Sequence, residues 1–272
     1  MFGLPWHIVL PTLLGSLLAG VLCSVMGTLV VRMNLSSLGF AMSHAAFAGA
    51  ALGLMLSFAE PLWLAIAFSI ATAAVLGPLA DLSRMNTDTV VGAIFPLTMA
   101  LGLVFLNKAP SSGIGSGALA LLWGSVLGIT MGQVTTLAAV LAAVVLILIA
   151  FGKEFFALLL DRKLAQASGI NTRAVLYTVL FIVAVVVAVS TQVTGGLLIY
   201  ALMILPASAA YQWAYDIKKI FVLAPALGIV ASLGGFLLSF GMDLPIGSSI
   251  ALCAAAIFLL STAISPKRRR VG

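Results

Sequence analysis

Apolar runs long enough to cross a membrane follow one another from end to end of this chain, and short breaks between them carry most of the charged side chains. A helix rises 1.5 Å per residue, so about 20 apolar residues reach across a hydrocarbon layer some 30 Å thick. The pattern predicts spanning helices over about 8–31, 38–57, 62–80, 90–106, 134–151, 174–191, 195–214, 220–240 and 246–264. The expected fold class is all-α: a polytopic membrane protein of about nine transmembrane helices, with short re-entrant and cytoplasmic helices added, in one membrane domain over 1–272.

The breaks have their own signatures. RMNLSS at 32–37 offers Ser36 or Ser37 as a cap for the second helix. Pro61 opens the third, and the polar loop DLSRMNTD at 81–88 precedes the fourth. NKAPSSGIGSG at 107–117 is rich in glycine and serine, and the apolar piece at 118–129 is too short to span, which predicts a re-entrant or surface helix. The longest loop, 153–173, holds Lys153, Glu154, Asp161, Arg162, Lys163 and Arg173. Within it KEFFALLLDRKLAQASG combines helix formers, a Leu/Phe stripe, a charged face and Gly169 as a closing residue. Such an amphipathic helix either lies on the bilayer or fits a groove on a partner, and both readings stand.

Composition removes the soluble alternative. The chain is 63% hydrophobic and 7% charged, against about 25% charged in globular domains. A net charge of +6 invites a nucleic-acid reading, but the distribution of the cations points elsewhere. With the basic tail at 265–272 placed in the cytoplasm, counting back through nine spans puts Arg32, Arg84, Lys153, Arg162, Lys163, Arg173, Lys218, Lys219 and Lys267–Arg270 inside, and Lys108 alone outside. Lys and Arg resist translocation, so the expected topology is N-terminus out and C-terminus in, with the lipid bilayer rather than a nucleic acid as the surrounding partner. No basic residue precedes the first run and no small-residue cleavage site follows it, so that run is expected to remain as a helix. Cys23 and Cys253 lie inside apolar runs and are expected to pack as small hydrophobes.

Within the second run, GFAMSHAAFAGAALG, one titratable ring interrupts an apolar, small-residue helix. An ionisable group inside a bilayer is costly and usually lines a cavity or a pathway. His44 therefore either contacts cargo or donates to a neighbouring helix, and position alone weighs the two evenly. Ala41, Ala45, Gly49 and Gly53 recur every four residues as a ridge on which a partner helix can sit closely. Ala48, one turn past His44, leaves open space above the ring. Glu60 and Asp243 fall at membrane edges and His7 at the outer end of the first run, while the scattered Met26, Met42, Met55, Met99 and Met203 read as gap-filling packing. Adjacent Ser43 and His44 point about 100° apart on a helix and cannot act as nucleophile and base. No HExxH motif and no GxxxxGK[ST] loop is present, so an enzyme reading is poor and any ATP-driven step needs a separate nucleotide-binding partner.

Six blocks in order then resemble one family. VRMNLSSLGFAMSHAAFAGAALG, TDTVVGAIFPLTMALGLV, LLWGSVLGIT, LLLDRKLAQASGI, TQVTGGLLIYALMILPASAA and DLPIGSSIAL are similar to the permease subunits of zinc, manganese and iron ABC importers, the ABC-3 family, over essentially the full length. The resemblance implies a bacterial or archaeal cell (inner) membrane and a pair of permeases, a homodimer or two closely related chains. It also implies two ATP-binding subunits that use ATP and Mg, and an extracytoplasmic solute-binding protein that delivers the metal. It implies no cofactor bound by this chain. Asp161, Arg162, Lys163, Leu164, Ala165 and Gly169 resemble the element that couples to the ATPase. Pro206 matches the proline that interrupts a helix in the family's LxLPA-type segment, where a freed carbonyl would serve a polar pathway.

One position departs from that pattern. The family reads Gly-Asp-x-x-Ser-His across the second span, which sets a carboxylate and an imidazole one turn apart on one face. Here the Asp position is Phe40, and His44 alone remains as a metal ligand, with Ser43 and Ala48 beside it on the path. One imidazole does not complete the shell of a divalent ion, which takes about four to six ligands. A second His44 across a dimer axis, or carbonyls near Pro206 or 194–196, would complete it. Otherwise the cargo is a chelated metal or a small organic solute. An ion-coupled secondary transporter would carry more intramembrane acids and repeated halves, which this chain does not show.

Overall fold

The computed structural model describes residues 6–58, 60–83, 85, 87–110 and 129–267. Among them all regular structure is helical: α1 (Trp6–Arg32), α2 (Leu38–Met55), α3 (Pro61–Ser83), α4 (Thr87–Asn107), α5 (Met131–Ala150), α6 (Gly152–Leu160), α7 (Arg162–Ala167), α8 (Thr172–Thr194), α9 (Gly196–Trp213), α10 (Ile217–Met242) and α11 (Ile246–Ile264). Each of the nine predicted apolar segments is a helix. Seven described helices are long and apolar enough to cross a membrane. Two apolar stretches, Pro61–Leu76 and Leu198–Trp213, are shorter. The short helix expected at 118–129 and the last residues of the basic tail lie outside the described residues.

Helix α2 is the centre of the bundle. Its apolar window is 78% buried, against 17% for α5, so α2 is surrounded by protein while α5 turns most of its surface outward. Small residues make the crowding possible. A Cβ at Gly49 would stand 2.3 Å from the Leu64 carbonyl oxygen of α3, and one at Gly53 would stand 3.0 Å from Pro61. The predicted ridge is thus the α2–α3 contact. A second close crossing joins α1 to α10: Gly20 and Ser24 face Gly228 and Ser232, four residues apart on both helices. Without a hydrophobic driving force between helices in lipid, close backbone approach of this kind supplies much of the packing energy.

Several boundaries differ from the sequence pattern. Within the polar stretch at 81–88, α3 runs on through Asp81 to Ser83 and α4 begins at Thr87. Polar residues are compatible with the last and first turns of helices, so polarity overstates the loop. Ser37 occupies the start of α2 with φ −72° and ψ −16°, and its side chain makes no capping bond. A cap residue needs extended backbone to turn its hydroxyl towards the first N–H groups. The capping box that does form was not anticipated: Gln133 N–H donates to Thr130 Oγ1 at 3.3 Å, and Thr130 N–H donates to Gln133 Oε1 at 3.0 Å.

The single amphipathic helix expected in the 153–173 loop is two. Asp161 takes extended backbone (φ −157°, ψ 122°) between α6 and α7, and its carboxylate accepts from the N–H groups of Lys163 at 2.7 Å and Leu164 at 3.1 Å. An aspartate competes for backbone donors in this way, so it starts a helix more readily than it continues one. At the far end Gly169, with φ +84°, closes α7 as predicted. Gly169 N–H donates to the Gln166 carbonyl and Ile170 N–H to the Ala165 carbonyl, both at 3.1 Å, the paired bonds of a Schellman motif.

Candidate functional site

The site forms where α2, α4 and α9 meet. His44 projects from the middle of α2, half-buried, with the Phe95 ring of α4 centred 4.7 Å away and the Phe40 ring of its own helix also at 4.7 Å, edge to face. Phe40 in turn touches Phe95 at 4.6 Å and the Tyr200 ring of α9 at 5.5 Å. Three aromatic rings and one imidazole thus share one enclosure. Aromatic pairs at 4.5–7 Å attract through their quadrupoles as well as their area, so the enclosure is a cohesive cluster.

Inside it His44 Nδ1 is buried and has no hydrogen-bond partner. The helix hydrogen bond that was the competing account of this residue is therefore not made at that nitrogen. A buried nitrogen left without a partner costs about 1–3 kcal/mol. Among the described residues no three His, Cys, Asp or Glu side chains come together as a metal-binding group.

The other predicted pathway residues are placed differently. Ser43 is buried and its Oγ donates to the Phe40 carbonyl at 2.7 Å. A Cβ at Gly196 would stand 3.4 Å from Ser43, so the junction between α8 and α9 rests against this turn of α2. That junction is Gly195 alone, at φ 78° and ψ 155°, a region open essentially to glycine. Ala48 is fully buried, and Gly102 of α4 packs against its backbone: a Cβ at Gly102 would stand 3.2 Å from the Ala48 Cα. Pro206 does not interrupt its helix. Helix α9 runs unbroken through it, because the neighbouring helices hold the segment in line. Tyr200, about 9 Å earlier along the helix axis, is the α9 residue that reaches Phe40. Phe95 and Tyr200 were missed in the sequence. Both lie in apolar blocks where an aromatic ring carries no polar signature.

At one end of the bundle the predicted coupling residues sit together. Asp161, Arg162, Lys163 and Leu164 are exposed, Ala165 is buried, and Gly169 is exposed. Helix α6 buries Phe155, Leu158 and Leu159 against the bundle while Leu160 (69% exposed) and Leu164 (68% exposed) face outward. Cys23 and Cys253 are free thiols, as expected.

Among the described residues the apolar helical bundle is that of a polytopic membrane protein. The chain belongs to the ABC 3 transport family, whose model matches residues 6–265. It is 30% identical over 264 residues to the manganese import system permease protein ScaB of Streptococcus gordonii, covering 97% of this chain and 94% of that one. It is 30% identical over 260 residues to the probable iron transport system membrane protein of Haemophilus influenzae, covering 95% and 94%. The solved structure of PsaBC from Streptococcus pneumoniae in complex with Fab superposes with a TM-score of 0.86 at 28% identity, covering 97% and 94%.

Proposed function

We propose that this chain is the membrane-embedded permease of an ATP-driven importer that moves a divalent transition metal (manganese, iron or zinc) into the cell. The relatives named for manganese and iron import supply the cargo class. The observation that carries the role of the site is the buried, unpartnered His44 Nδ1 in the helix at the centre of the bundle. An imidazole nitrogen with no competing hydrogen bond is a ready transient ligand for these ions.

In this reading the nine apolar helices all span, with the N-terminus outside and the C-terminus inside. Two permeases, identical or closely related, sit over two ATPase subunits that use ATP and Mg, and an extracytoplasmic binding protein delivers cargo to the outer face. The chain itself catalyses no chemistry. The elbow of α6 and α7 couples ATPase closure to helix movement, offering Leu164 and the Asp161–Lys163 charges to a groove on the partner. Ligands beyond His44 come from the facing permease, from the Leu202 carbonyl that Pro206 leaves without its helical donor, and from water. Weak, incomplete coordination suits a path from which the ion must leave again.

A second reading has its own observation. Phe40, Phe95 and Tyr200 enclose the imidazole with ring faces and edges, a lining better matched to a chelated metal or a small organic solute than to a hydrated ion. Uptake by the complex reconstituted with its ATPase and binding protein separates the two. Competition with labelled manganese by excess iron and zinc, together with a large loss in His44→Ala, is expected for a bare ion. Unchanged metal uptake in His44→Ala would overturn the ligand role. Uptake that requires a chelator in the assay would select the second reading.

A further inference from the structure

A second polar site lies at the end of the bundle where α1 and α9 finish and α6 and α10 approach. A cavity of about 490 Å³ there is lined by Arg32, Tyr211, Tyr215, Asp216, Lys218 and Lys267, with Phe156 and Leu160 of α6 at its wall. The cations are held in place by backbone. Helix α9 ends at Trp213 and leaves its last carbonyls without helical donors. Lys267 Nζ donates to two of the carbonyls at this end, those of Tyr211 and Ala214, and Ser265 Oγ donates to that of Gln212 at 3.1 Å. The ammonium also lies 4.3 Å over the Tyr215 ring. On the opposite wall Arg32 Nε donates to the Leu159 carbonyl at 3.0 Å, which fixes the guanidinium while leaving its paired terminal nitrogens.

Among the described residues the charges in this cavity do not balance. Their one lining carboxylate, Asp216, is turned to its own helix, accepting from the Lys218 N–H at 2.9 Å as the cap of α10. Three cations face that single committed acid. Burial, and then the Arg32 charge, hold the Lys267 ammonium below the usual lysine range, so the two cations oppose each other. The lining also carries exposed Tyr215 (64%) and Leu160 (69%), a mixture of aromatic and apolar side chains of the kind found where protein meets lipid headgroups.

We propose that this cavity is a phosphate site that takes the headgroup of an anionic phospholipid, with Arg32 and Lys267 as its principal donors and Lys218 at its mouth. The guanidinium fork matches two phosphate oxygens, and the remaining ammonium N–H supplies a third bond. The apolar wall of Phe156 and Leu160 receives the start of the acyl chains. Because α6 forms that wall, a bound lipid would brace the elbow against the bundle. This assignment does not depend on which cargo the chain carries.

The test uses the full chain, purified in neutral detergent, with retained lipid counted by native mass spectrometry and unfolding followed by temperature. Added phosphatidylglycerol is expected to bind and raise Tm, while phosphatidylcholine and millimolar inorganic phosphate have little effect. Arg32→Gln and Lys218→Gln, which leave the α9 cap intact, are each expected to weaken phosphatidylglycerol binding about fivefold. Lys267→Gln is expected to do the same and to lower Tm without lipid. Equal binding of both lipids, or retention unchanged in Arg32→Gln and Lys218→Gln, would overturn the site. Stabilisation by inorganic phosphate as strong as by lipid would overturn the lipid assignment.

Discussion

The enclosure around His44 and the cavity around Lys267 hold basic side chains in opposite ways. His44 stands among Phe40, Phe95 and Tyr200 with a buried nitrogen left unpaired, whereas Lys267 is tied to the Tyr211 and Ala214 carbonyls. The first is lined by aromatic rings and leaves its nitrogen unpaired. The second is polar, hydrogen-bonded and positively charged. A group meant to exchange ligands must not be satisfied by the protein, while a group meant to anchor must be. Under the proposed function, the difference separates a ring left free to meet cargo from a cation whose ammonium is already positioned by backbone carbonyls.

That contrast is most severely tested by packing. Gly49→Val puts a branched side chain where even a Cβ meets the Leu64 carbonyl at 2.3 Å. It should cost about 3 kcal/mol through overpacking, read as lost expression and a sharply lower Tm, with transport and lipid binding failing together. Next is His44→Ala, which should reduce metal uptake about tenfold, the equivalent of about 1.4 kcal/mol. Its Tm should stay level or rise, because an unsatisfied buried group is removed. A large fall in Tm would assign the imidazole to structure. Phe40→Asp sharpens the same side of the comparison. Restoring a carboxylate one turn from His44 should increase metal retained by the purified chain, measured by elemental analysis, and no retention would place that face off the path.

At the fastened end, Asp161→Ala removes the carboxylate that accepts from Lys163 and Leu164. It should cost about 1 kcal/mol of local helix stability and lower uptake per ATP hydrolysed, with His44-dependent metal retention unchanged. Thr130→Ala, at the capping box of the outward-facing α5, should cost a similar or smaller amount and leave transport intact. If either variant altered metal retention, the two regions would not be separable.

Much of the architecture was readable because membranes impose a simple rule on helix length and polarity. The nine apolar segments, the 41–45–49–53 ridge, the free cysteines and the Gly169 closure all follow from local pattern. The errors have physical causes. Ser37 has the right identity for a cap but helical backbone dihedrals, which sequence does not show. Asp81 and Ser83 belong to α3, which continues past the polarity that marked a loop in the sequence. The loop helix divides at Asp161 because one carboxylate captures two N–H groups. At the site, His44 and Phe40 stood out, but Phe95 and Tyr200 arrive from α4 and α9, and only tertiary packing brings them to α2. Ala48 taught the reverse lesson, since the space above a small residue belongs to whichever helix packs there.

The joint between α8 and α9 bears on how this protein can change over generations. It consists of Gly195 alone, at φ 78° and ψ 155°, and the next residue rests against Ser43. Every first- or second-base change in a glycine codon introduces either a Cβ or a stop, and that backbone conformation accepts no Cβ. Neighbouring valines and alanines can drift among similar volumes with small effects, but this codon has freedom only in its third base. A saturation library selected for growth on limiting metal should therefore show a single-position gap at 195, bounded by tolerant neighbours on α8.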